Sequence, residues 1–297
     1  SNVNDIAFSP NGEKLVTASE DNTCKIWGVE SKENILTFVG HNKDVTNVVF
    51  SPDGEKIASI AIDNICKIWR VESGEELFTL EGYEGDIIFS PDGKKIASGS
   101  INNTVVISDL STGERLLTLR NRNSRTNSID FSPNGKKIAI ASMNNRAVVY
   151  DTEKGKKIIE LQGHAQDINS VLFSPDGKKI ATSSADNTCK IWEAENGNEI
   201  LSINGDGYSF NCMAFSPDGR NISAASSDNT ARVFDLESGR EILVLKGHSK
   251  EVNAVTFSSD GNMLATASSD NNARVWYINS TKIINLVSEK YFAPIWS

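Results

Sequence analysis

The sequence predicts an all-β fold, a seven-bladed propeller in which each blade is a four-stranded antiparallel sheet. Two observations support it: a motif at a fixed period, and short alternating segments between turn residues. The motif is Phe-Ser-Pro-Asp/Asn-Gly, with Ser replacing Pro in the last copy. Its phenylalanines lie 42 residues apart except for one interval of 39: Phe8, Phe50, Phe89, Phe131, Phe173, Phe215 and Phe257. A period of about 42 residues is the length of one such blade.

The fifth copy illustrates the four strands expected in every blade. Asp167–Phe173 alternates in polarity and ends at Ser-Pro-Asp-Gly, a tight turn in which Pro presets φ and Gly supplies a positive φ. Lys179–Ser183 is the second predicted strand, Thr188–Trp192 the third and Glu199–Ile203 the fourth. Strands of about five residues between regular turns are typical of all-β proteins.

The repeat also sets the expected domain boundaries. It predicts one domain over residues 1–289 and a C-terminal tail over 290–297. The predicted blades lie near 1–39, 40–81, 82–120, 121–162, 163–204, 205–246 and 247–289. Because contiguous strands can fill every blade, we expect the ring to close without a strand from the opposite terminus. The frame starts close to a repeat boundary without an initiator Met, so we expect the propeller to belong to a longer chain.

Composition and charge exclude several classes of partner. The chain carries a formal net charge of −9 and has no stripe of Lys and Arg, which argues against a nucleic-acid partner. No apolar run approaches the roughly 18 residues of a membrane helix, and no signal sequence is recognisable. We therefore expect neither a nucleic-acid nor a membrane partner.

Further repeated residues resemble those of the WD-repeat (WD40) family over essentially the whole chain. Gly-His precedes a first strand three times: Gly40-His41, Gly163-His164 and Gly247-His248. An aromatic residue ends six of the third strands: Trp27, Trp69, Tyr150, Trp192, Phe234 and Trp276. A turn Asp lies six residues before five of these aromatic residues: Asp21, Asp63, Asp186, Asp228 and Asp270. The resemblance independently implies a seven-bladed propeller.

The resemblance implies a buried hydrogen-bond chain of His, Ser or Thr, Asp and Trp within a blade. Complete sets are His41, Ser59, Asp63 and Trp69; His164, Thr182, Asp186 and Trp192; and His248, Thr266, Asp270 and Trp276. A buried imidazole or indole without a partner costs about 1–3 kcal/mol. Because the three histidines lie in different blades, they cannot share one metal ion. We interpret these sets as structural.

The sequence contains no recognisable catalytic or cofactor motif. Cys24, Cys66 and Cys189 share an inward position that other blades fill with Val or Ala, and Cys212 lies alone in a first strand. There is no Cys-x-x-Cys pair, Walker loop or dinucleotide fingerprint. We therefore expect no enzyme activity, cofactor or metal, and a reducing, cytoplasmic location.

Positions that differ between copies are candidates for binding a partner. Five residues after the Gly-His histidine, most blades carry Asn: Asn4, Asn127, Asn169, Asn211 and Asn253, with Thr46 in blade 2. Family geometry implies that these residues surround the mouth of the central channel. They form either a polar collar that binds a peptide or hydrogen bonds to neighbouring backbone, and the sequence leaves both interpretations open.

A second candidate surface lies just before the turn Asp. Blades 2 to 5 carry Ile62, Ile101, Met143 and Ala185 there, which we call the apolar arc. Exposed adjacent apolar groups usually mark an interaction surface, whereas the alternative is that they fold under neighbouring loops. The irregular copies add Tyr83, Arg122, Arg125 and Tyr208 as candidates. Arg120, Arg122 and Arg125 form the densest basic cluster of the chain, which could equally be a solvated patch.

These observations predict a non-catalytic scaffold that binds a protein or peptide on one face of the propeller. The alternatives are a sensor or autoinhibitory domain of a larger signalling or NTPase protein and, less favoured, a propeller enzyme. We expect the propeller itself to be a monomer.

Overall fold

Four-stranded antiparallel sheets form a closed ring in this protein, as the sequence predicts. The structure is a computed structural model that describes residues 1–120 and 124–278 and the backbone of 283–287. These residues form seven sheets, each made of four strands that follow one another in sequence. They contain no helix. The predicted tail, 290–297, lies outside the described residues.

The strands keep nearly the same length from blade to blade. Blades 1 and 2 contain β1 (Val3–Phe8), β2 (Lys14–Ser19), β3 (Thr23–Gly28), β4 (Asn34–Val39), β5 (Val45–Phe50), β6 (Lys56–Ala61), β7 (Ile65–Arg70) and β8 (Glu76–Glu81). Blades 3 and 4 contain β9 (Tyr83–Phe89), β10 (Lys95–Ser100), β11 (Thr104–Asp109), β12 (Arg115–Arg120), β13 (Thr126–Phe131), β14 (Lys137–Ser142), β15 (Arg146–Asp151) and β16 (Lys157–Gln162).

The remaining three blades continue this pattern. Blades 5 and 6 contain β17 (Ile168–Phe173), β18 (Lys179–Ser184), β19 (Thr188–Glu193), β20 (Glu199–Asn204), β21 (Phe210–Phe215), β22 (Asn221–Ser226), β23 (Thr230–Asp235) and β24 (Glu241–Lys246). Blade 7 contains β25 (Val252–Phe257), β26 (Met263–Ser268), β27 (Asn272–Tyr277) and β28 (Ile283–Val287). The strands predicted in blade 5 each agree with the structure to within one residue at either end.

Two repeated turns shape each blade. At the Ser-Pro-Asp-Gly turn of blade 2, the Gly54 N–H donates to the Ser51 carbonyl at 2.8 Å, and Gly54 has a φ of +73°. The turn between the second and third strands has Asn at positive φ in every blade, from +56° to +72°: Asn22, Asn64, Asn103, Asn145, Asn187, Asn229 and Asn271. Asn tolerates this left-handed conformation better than most residues. The asparagine turns and the connections between blades lie on the same face, which we call the top face, and the Ser-Pro-Asp-Gly turns lie on the opposite face.

The core consists of layers between adjacent blades. One layer combines Val16, Ile26 and Phe38 of blade 1 with Val48 and Trp69 of blade 2. The last layer joins blade 7 to blade 1 in the same way, with β1 packed against β25 and β26. The ring therefore closes by packing between blades, and each blade keeps its own four strands.

The outer strands of blades 1 to 6 carry a β-bulge. In blade 5, Trp192 pairs with Glu199 and Ile191 with Leu201, which leaves Ile200 unpaired. Equivalent bulges place Ile158 and Ile242 at the outer edge, and we call these three exposed side chains the rim residues. Bulges at exposed edges hinder pairing with strands of other molecules.

Candidate functional site

The histidines of the repeat belong to buried hydrogen-bond chains. In blade 5, His164 Nδ1 lies 2.9 Å from Asp186 Oδ2, and His164 Nε2 lies 2.8 Å from Thr182 Oγ1. Trp192 Nε1 donates to the same hydroxyl at 2.8 Å. Since the indole can only donate, the Thr182 hydroxyl directs its own proton to His164 Nε2, and the Nδ1 proton goes to Asp186. The imidazole is therefore neutral and fully engaged.

Blades 2 and 7 contain the same chain. Both Trp69 Nε1 and His41 Nε2 lie 2.8 Å from Ser59 Oγ, and His41 Nδ1 lies 3.4 Å from Asp63. In blade 7 the distances are His248–Asp270 2.9 Å, His248–Thr266 2.8 Å and Trp276–Thr266 2.9 Å. Burial lowers the pKa of all three histidines, although the neighbouring carboxylates oppose the shift. These sets hold each blade together and leave no imidazole free to act as an acid or base.

The cysteines are free thiols. Cys24, Cys66 and Cys189 are buried, and Cys212 is half-buried beside the channel. Burial raises the pKa of Cys24, Cys189 and Cys212 to about 12, so these thiols stay protonated. Across the part of the chain that the structure describes, no three His, Cys, Asp or Glu side chains are grouped to hold a metal ion.

The repeated asparagines link neighbouring blades. Each side-chain amide donates to a first-strand carbonyl of the next blade: Asn4 to Val45 at 2.8 Å, Asn127 to Ile168 at 2.9 Å, Asn169 to Phe210 at 3.0 Å, Asn211 to Val252 at 2.9 Å and Asn253 to Val3 at 2.8 Å. The last bond closes the ring. Of the two interpretations, backbone bonding is therefore the one found. Each of these amide nitrogens keeps a second N–H, all four side chains line the channel, and Asn127 also borders a cavity on the top face, so the assignment of Asn127, Asn169, Asn211 and Asn253 to partner binding stays a prediction.

Two adjacent junctions lack an asparagine at this position, although the neighbouring Asn47 amide still reaches Asp86 of blade 3 at 3.5 Å. In blade 2, the Thr46 hydroxyl donates within its own blade, to the Ile60 carbonyl at 3.2 Å. In blade 3, Gly85 occupies the position with a φ of +78°, and a Cβ there would lie 2.7 Å from the Thr126 carbonyl oxygen. Any side chain at residue 85 would therefore collide with blade 4. Blades 2, 3 and 4 thus meet differently from the rest of the ring.

Blade 3 also has the shortest top connection among those described. Only Gly82 separates β8 from β9, whereas five residues precede the first strand in blades 2, 5, 6 and 7. The missing residues leave an open space on the top face between blades 2, 3 and 4. This blade-3 cavity has a volume of about 480 Å³, and its lining includes Thr46, Asn47, Ile62, Asn64, Glu84, Gly85 and Arg125.

Tyr83 does not lie on the surface. Its side chain is only 2% exposed, and its hydroxyl lies 2.8 Å from Ser108 Oγ. Tyr83 pairs with Ser100 just as Val45 pairs with Ala61 in blade 2, so it occupies the first inward position of the strand. There the tyrosine ring reaches the space that is left because blade 3 has Ser108 instead of the third-strand aromatic residue. Its assignment as a partner-binding residue was wrong.

The apolar arc is exposed in three of its four members. The exposed fraction is 49% for Ile62, 50% for Ile101 and 45% for Met143, while Ala185 is half-buried. The alternative, that these three side chains fold under neighbouring loops, is therefore wrong. Their backbone is fixed, since each N–H donates to a carbonyl at or near the start of its own blade. The turns thus hold three apolar side chains in water on the top face.

The irregular copies contribute unequally to this surface. Arg125 is exposed and lines the same cavity as Ile62. Tyr208 is exposed as well, but it lies in the connection before blade 6, away from blades 2 to 4. Arg122 lies outside the described residues. The structure therefore brings Arg125 and Ile62 together and leaves Tyr208 apart.

Sequence reasoning missed three carboxyl groups in the channel. Asp5, Asp86 and Asp130 accept backbone N–H groups of the next blade, from Val48 at 2.9 Å, Ile129 at 2.9 Å and Phe173 at 2.6 Å. Burial raises their pKa values, to about 7 for Asp5, 6 for Asp86 and 8 for Asp130, although each keeps partial contact with the channel. Asp5 and Asp86 both stand three residues before the motif Phe. Comparing the copies at that position would have revealed Asp5 and Asp86, whereas Asp130 lies one residue before its motif Phe.

Comparison with known proteins identifies the family. The model of the family described as "WD domain, G-beta repeat" matches residues 1–28, 32–70, 74–109, 113–151, 155–193, 197–235 and 239–277. A search of curated proteins finds no match. Within the described residues, no helix is long and apolar enough to span a membrane. The seven matched segments and the seven blades together show that this chain belongs to the WD40 repeat family.

Proposed function

We propose that this propeller is a non-catalytic recognition module that binds a protein segment on the top face of blades 2 to 4. WD40 propellers are generally scaffolds for protein–protein interactions. The observation that carries the proposal is the set of three exposed apolar side chains, Ile62, Ile101 and Met143, in successive blades. Exposed apolar groups concentrated in one region favour contact with another macromolecule.

The location of these side chains distinguishes them from ordinary exposed apolar residues. The rim residues are also exposed, but an apolar residue occupies their bulge position in every blade from 1 to 6. They belong to the repeat itself. At the apolar-arc position, the other blades carry Glu20, Ala185, Ser227 and Ser269. Large apolar residues there are specific to blades 2 to 4, which supports a role in binding.

The surroundings of the arc suit recognition rather than catalysis. The turns that carry it stand on a closed ring of sheets, and rigid scaffolds that present variable loop side chains commonly bind partners. Beside the arc lies the blade-3 cavity, within the roughly 300–1,000 Å³ range of many ligand pockets. The arc and the cavity together offer one surface with both flat and concave parts.

Peptide display tests the proposal, because a random library samples many segment chemistries at once. Random dodecamer peptides would be selected on the purified full chain, and the affinity of selected peptides measured by fluorescence polarisation. The combined variant Ile62→Ala, Ile101→Ala and Met143→Ala should lose at least tenfold in affinity. The matched control, Ile158→Ala, Ile200→Ala and Ile242→Ala, removes side chains of similar exposure at the rim and should bind normally.

Two outcomes would overturn the proposal. One is that selection yields no specific peptide. The other is that selected peptides bind both combined variants as they bind the unmodified chain.

The expected cytoplasmic location stays a prediction, which fractionation of cells that express the protein would test.

A further inference from the structure

We propose that the blade-3 cavity holds an acidic residue of the bound segment against Arg125, while a neighbouring apolar residue of that segment packs on Ile62. The partner is thus an acidic peptide segment with an apolar anchor residue. This inference rests on the proposed function, because it names the chemistry of the segment that the top face of blades 2 to 4 binds.

The cavity exists because the repeat is interrupted there. Thr46 and Gly85 replace two of the asparagines that link blades elsewhere, and Gly82 alone forms the connection between blades 2 and 3. Each change removes atoms from the top face at the same place. The result is a concave site of about 480 Å³ next to the exposed Ile62.

The exposed arginines indicate that the bound segment carries negative charge. Arg115, Arg120 and Arg125 are exposed within one short stretch of a chain whose net charge is −9. Arg115 stacks over the Tyr83 ring at 5.8 Å. Within the described residues, none of these three guanidinium groups has a carboxylate within 4 Å, although Arg115 also donates to the Glu81 carbonyl at 3.5 Å; Arg146 of β15, by contrast, pairs with Glu160 at 2.6 Å. A guanidinium group binds carboxylates strongly and with defined geometry, so these arginines favour an acidic partner.

Glu84 is the carboxylate in the cavity lining, and its charge gives a second prediction about binding of an acidic segment. It is not within ion-pair distance of Arg125, so it does not neutralise that group by direct contact. Its charge would repel an incoming acidic residue. Removing the Glu84 charge should therefore strengthen binding of an acidic segment, whereas reversing the Arg125 charge should weaken it.

The remaining lining suits an extended peptide backbone. Thr46, Asn47 and Asn64 contribute polar side chains to the lining. The Thr46 hydroxyl already donates to Ile60 and the Asn47 amide contacts Asp86, so a bound chain would meet the lone pairs of the Thr46 hydroxyl and the amide of Asn64. Ala61 and Ile62 form the apolar part of the wall. Polar contacts to the backbone combined with an apolar anchor and one ion pair are typical of peptide recognition.

Defined peptide pools test this inference. Three fluorescein-labelled nonapeptide pools would be titrated by fluorescence polarisation: one with Asp or Glu beside Leu, Ile or Phe; one with Lys or Arg beside the same apolar residues; and one with Asp or Glu beside Ser. The unmodified chain should bind the acidic–apolar pool at least tenfold more tightly than either other pool. A labelled single-stranded 20-mer DNA serves as a further probe and should bind more weakly than the acidic–apolar pool.

Variants connect the preference to the cavity. Arg125→Glu should reverse the order of the acidic–apolar and basic–apolar pools, and Glu84→Gln should tighten the acidic–apolar pool about two- to fivefold. Arg240→Glu changes an exposed arginine in the loop between β23 and β24, and should leave the order unchanged.

The possible results separate this inference from the proposed function. If display-selected peptides depend on the apolar arc but the pools bind equally, or Arg125→Glu changes nothing, the inference fails while the proposed function stands. If DNA binds most tightly and depends on Arg125, the inference also fails, because the cluster then serves a nucleic acid. If neither selected peptides nor pools bind, both fail.

Discussion

The two sides of the ring carry different residues at the same repeat positions. Across blades 5 to 7, an asparagine amide crosses each junction, five residues form each top connection, and Ala or Ser precedes the turn Asp. Across blades 2 to 4, Thr46 and Gly85 take the asparagine position in blades 2 and 3, and the connection into blade 3 is shortened to the single residue Gly82. The residues before the turn between the second and third strands are large and apolar there: Ile62, Ile101 and Met143. Side chains on the regular side are bonded to neighbouring blades. On the irregular side, three apolar side chains are exposed, and one of them, Ile62, borders the blade-3 cavity.

The blade interiors also differ, but along another division, since blade 2 has the complete hydrogen-bond chain and blade 6 lacks its histidine. Blades 2, 5 and 7 contain the complete chain from His to Trp, with every distance between 2.8 and 3.4 Å. Blade 3 replaces it with the Tyr83–Ser108 contact, and in blade 4 the Tyr150 hydroxyl donates to the Arg120 carbonyl at 3.0 Å. A large inward residue therefore substitutes for the chain where the repeat is irregular. Stability is maintained there by different means.

The largest expected effect comes from removing an indole on the regular side. Trp192→Ala should lower the free energy of unfolding by about 3–5 kcal/mol, because it deletes a fully buried ring and its bond to Thr182. Urea unfolding followed by circular dichroism measures the change. Affinity of the folded variant for a top-face peptide should be unchanged, since blade 5 lies outside the proposed site. A loss of stability below about 1 kcal/mol would contradict the structural role of the set.

A smaller loss is expected from cutting one link between blades. Asn169→Ala should cost about 1–3 kcal/mol, because the buried Phe210 carbonyl loses its side-chain donor. Asn42→Ala is the matched control: this asparagine is exposed, and its replacement should stay within about 0.5 kcal/mol. Equal effects in the two variants, again by urea unfolding, would show that the amide link contributes nothing.

Glycine substitutions compare a closed position with an open one. Gly85→Ala should destabilise the protein by more than about 1 kcal/mol, since it combines a positive φ with a Cβ 2.7 Å from the Thr126 oxygen. Gly207 also has a positive φ, of +92°, but a Cβ there meets nothing within 4 Å. Gly207→Ala should therefore cost less. If the two alanine variants have the same melting temperature, the close approach of blades 3 and 4 at Gly85 is refuted.

The channel carboxyls should give a modest pH dependence, of the order of 1 kcal/mol because the channel side leaves them partly solvated. The pKa of Asp130 is raised from its ordinary 3.8 to about 8 by burial and by Asp86, so the folded state binds more protons between these pH values. Stability should therefore fall as pH rises from about 4 to 8. The histidines act in the opposite sense near pH 6, since their pKa values are lowered.

Asp130→Asn isolates this contribution, because its amide oxygen can still accept the Phe173 N–H. Chemical unfolding at pH 5, 6.5 and 8 should show that the variant gains stability relative to the unmodified chain as pH rises. A difference between the two proteins that does not change with pH would refute the raised pKa.

Most of the fold could be predicted from the sequence because seven copies of the repeat show the same pattern of strands and turns. Seven copies in phase fixed the strand order and, in blade 5, strand ends to within one residue. The sequence placed Ile62, Ile101 and Met143 beside a turn but left open whether they are exposed, which the structure shows they are. These features depend only on local periodicity, which a single sequence reveals.

The errors concern the irregular strand of blade 3 and the contacts between blades. Tyr83 was misplaced because Gly99 pairs with Glu84, which leaves both Gly85 and Asp86 unpaired where blade 2 leaves only Thr46, so that counting back from Phe89 misses the register. The asparagine amides were open to two interpretations because their acceptors lie 41 residues away in another blade. Periodicity shows that a residue type repeats at a position, but it does not show which atoms form hydrogen bonds with that side chain.

Amide hydrogen exchange of the full chain, with and without a display-selected peptide, tests the central claim most directly. We expect slower exchange on binding in the top-face segments of blades 2 to 4, residues 60–64, 82–86, 100–103 and 142–145, with no change in blades 5 to 7. Protection centred on the top turns of blades 5 to 7, or on the opposite face at the Ser-Pro-Asp-Gly turns, would contradict it.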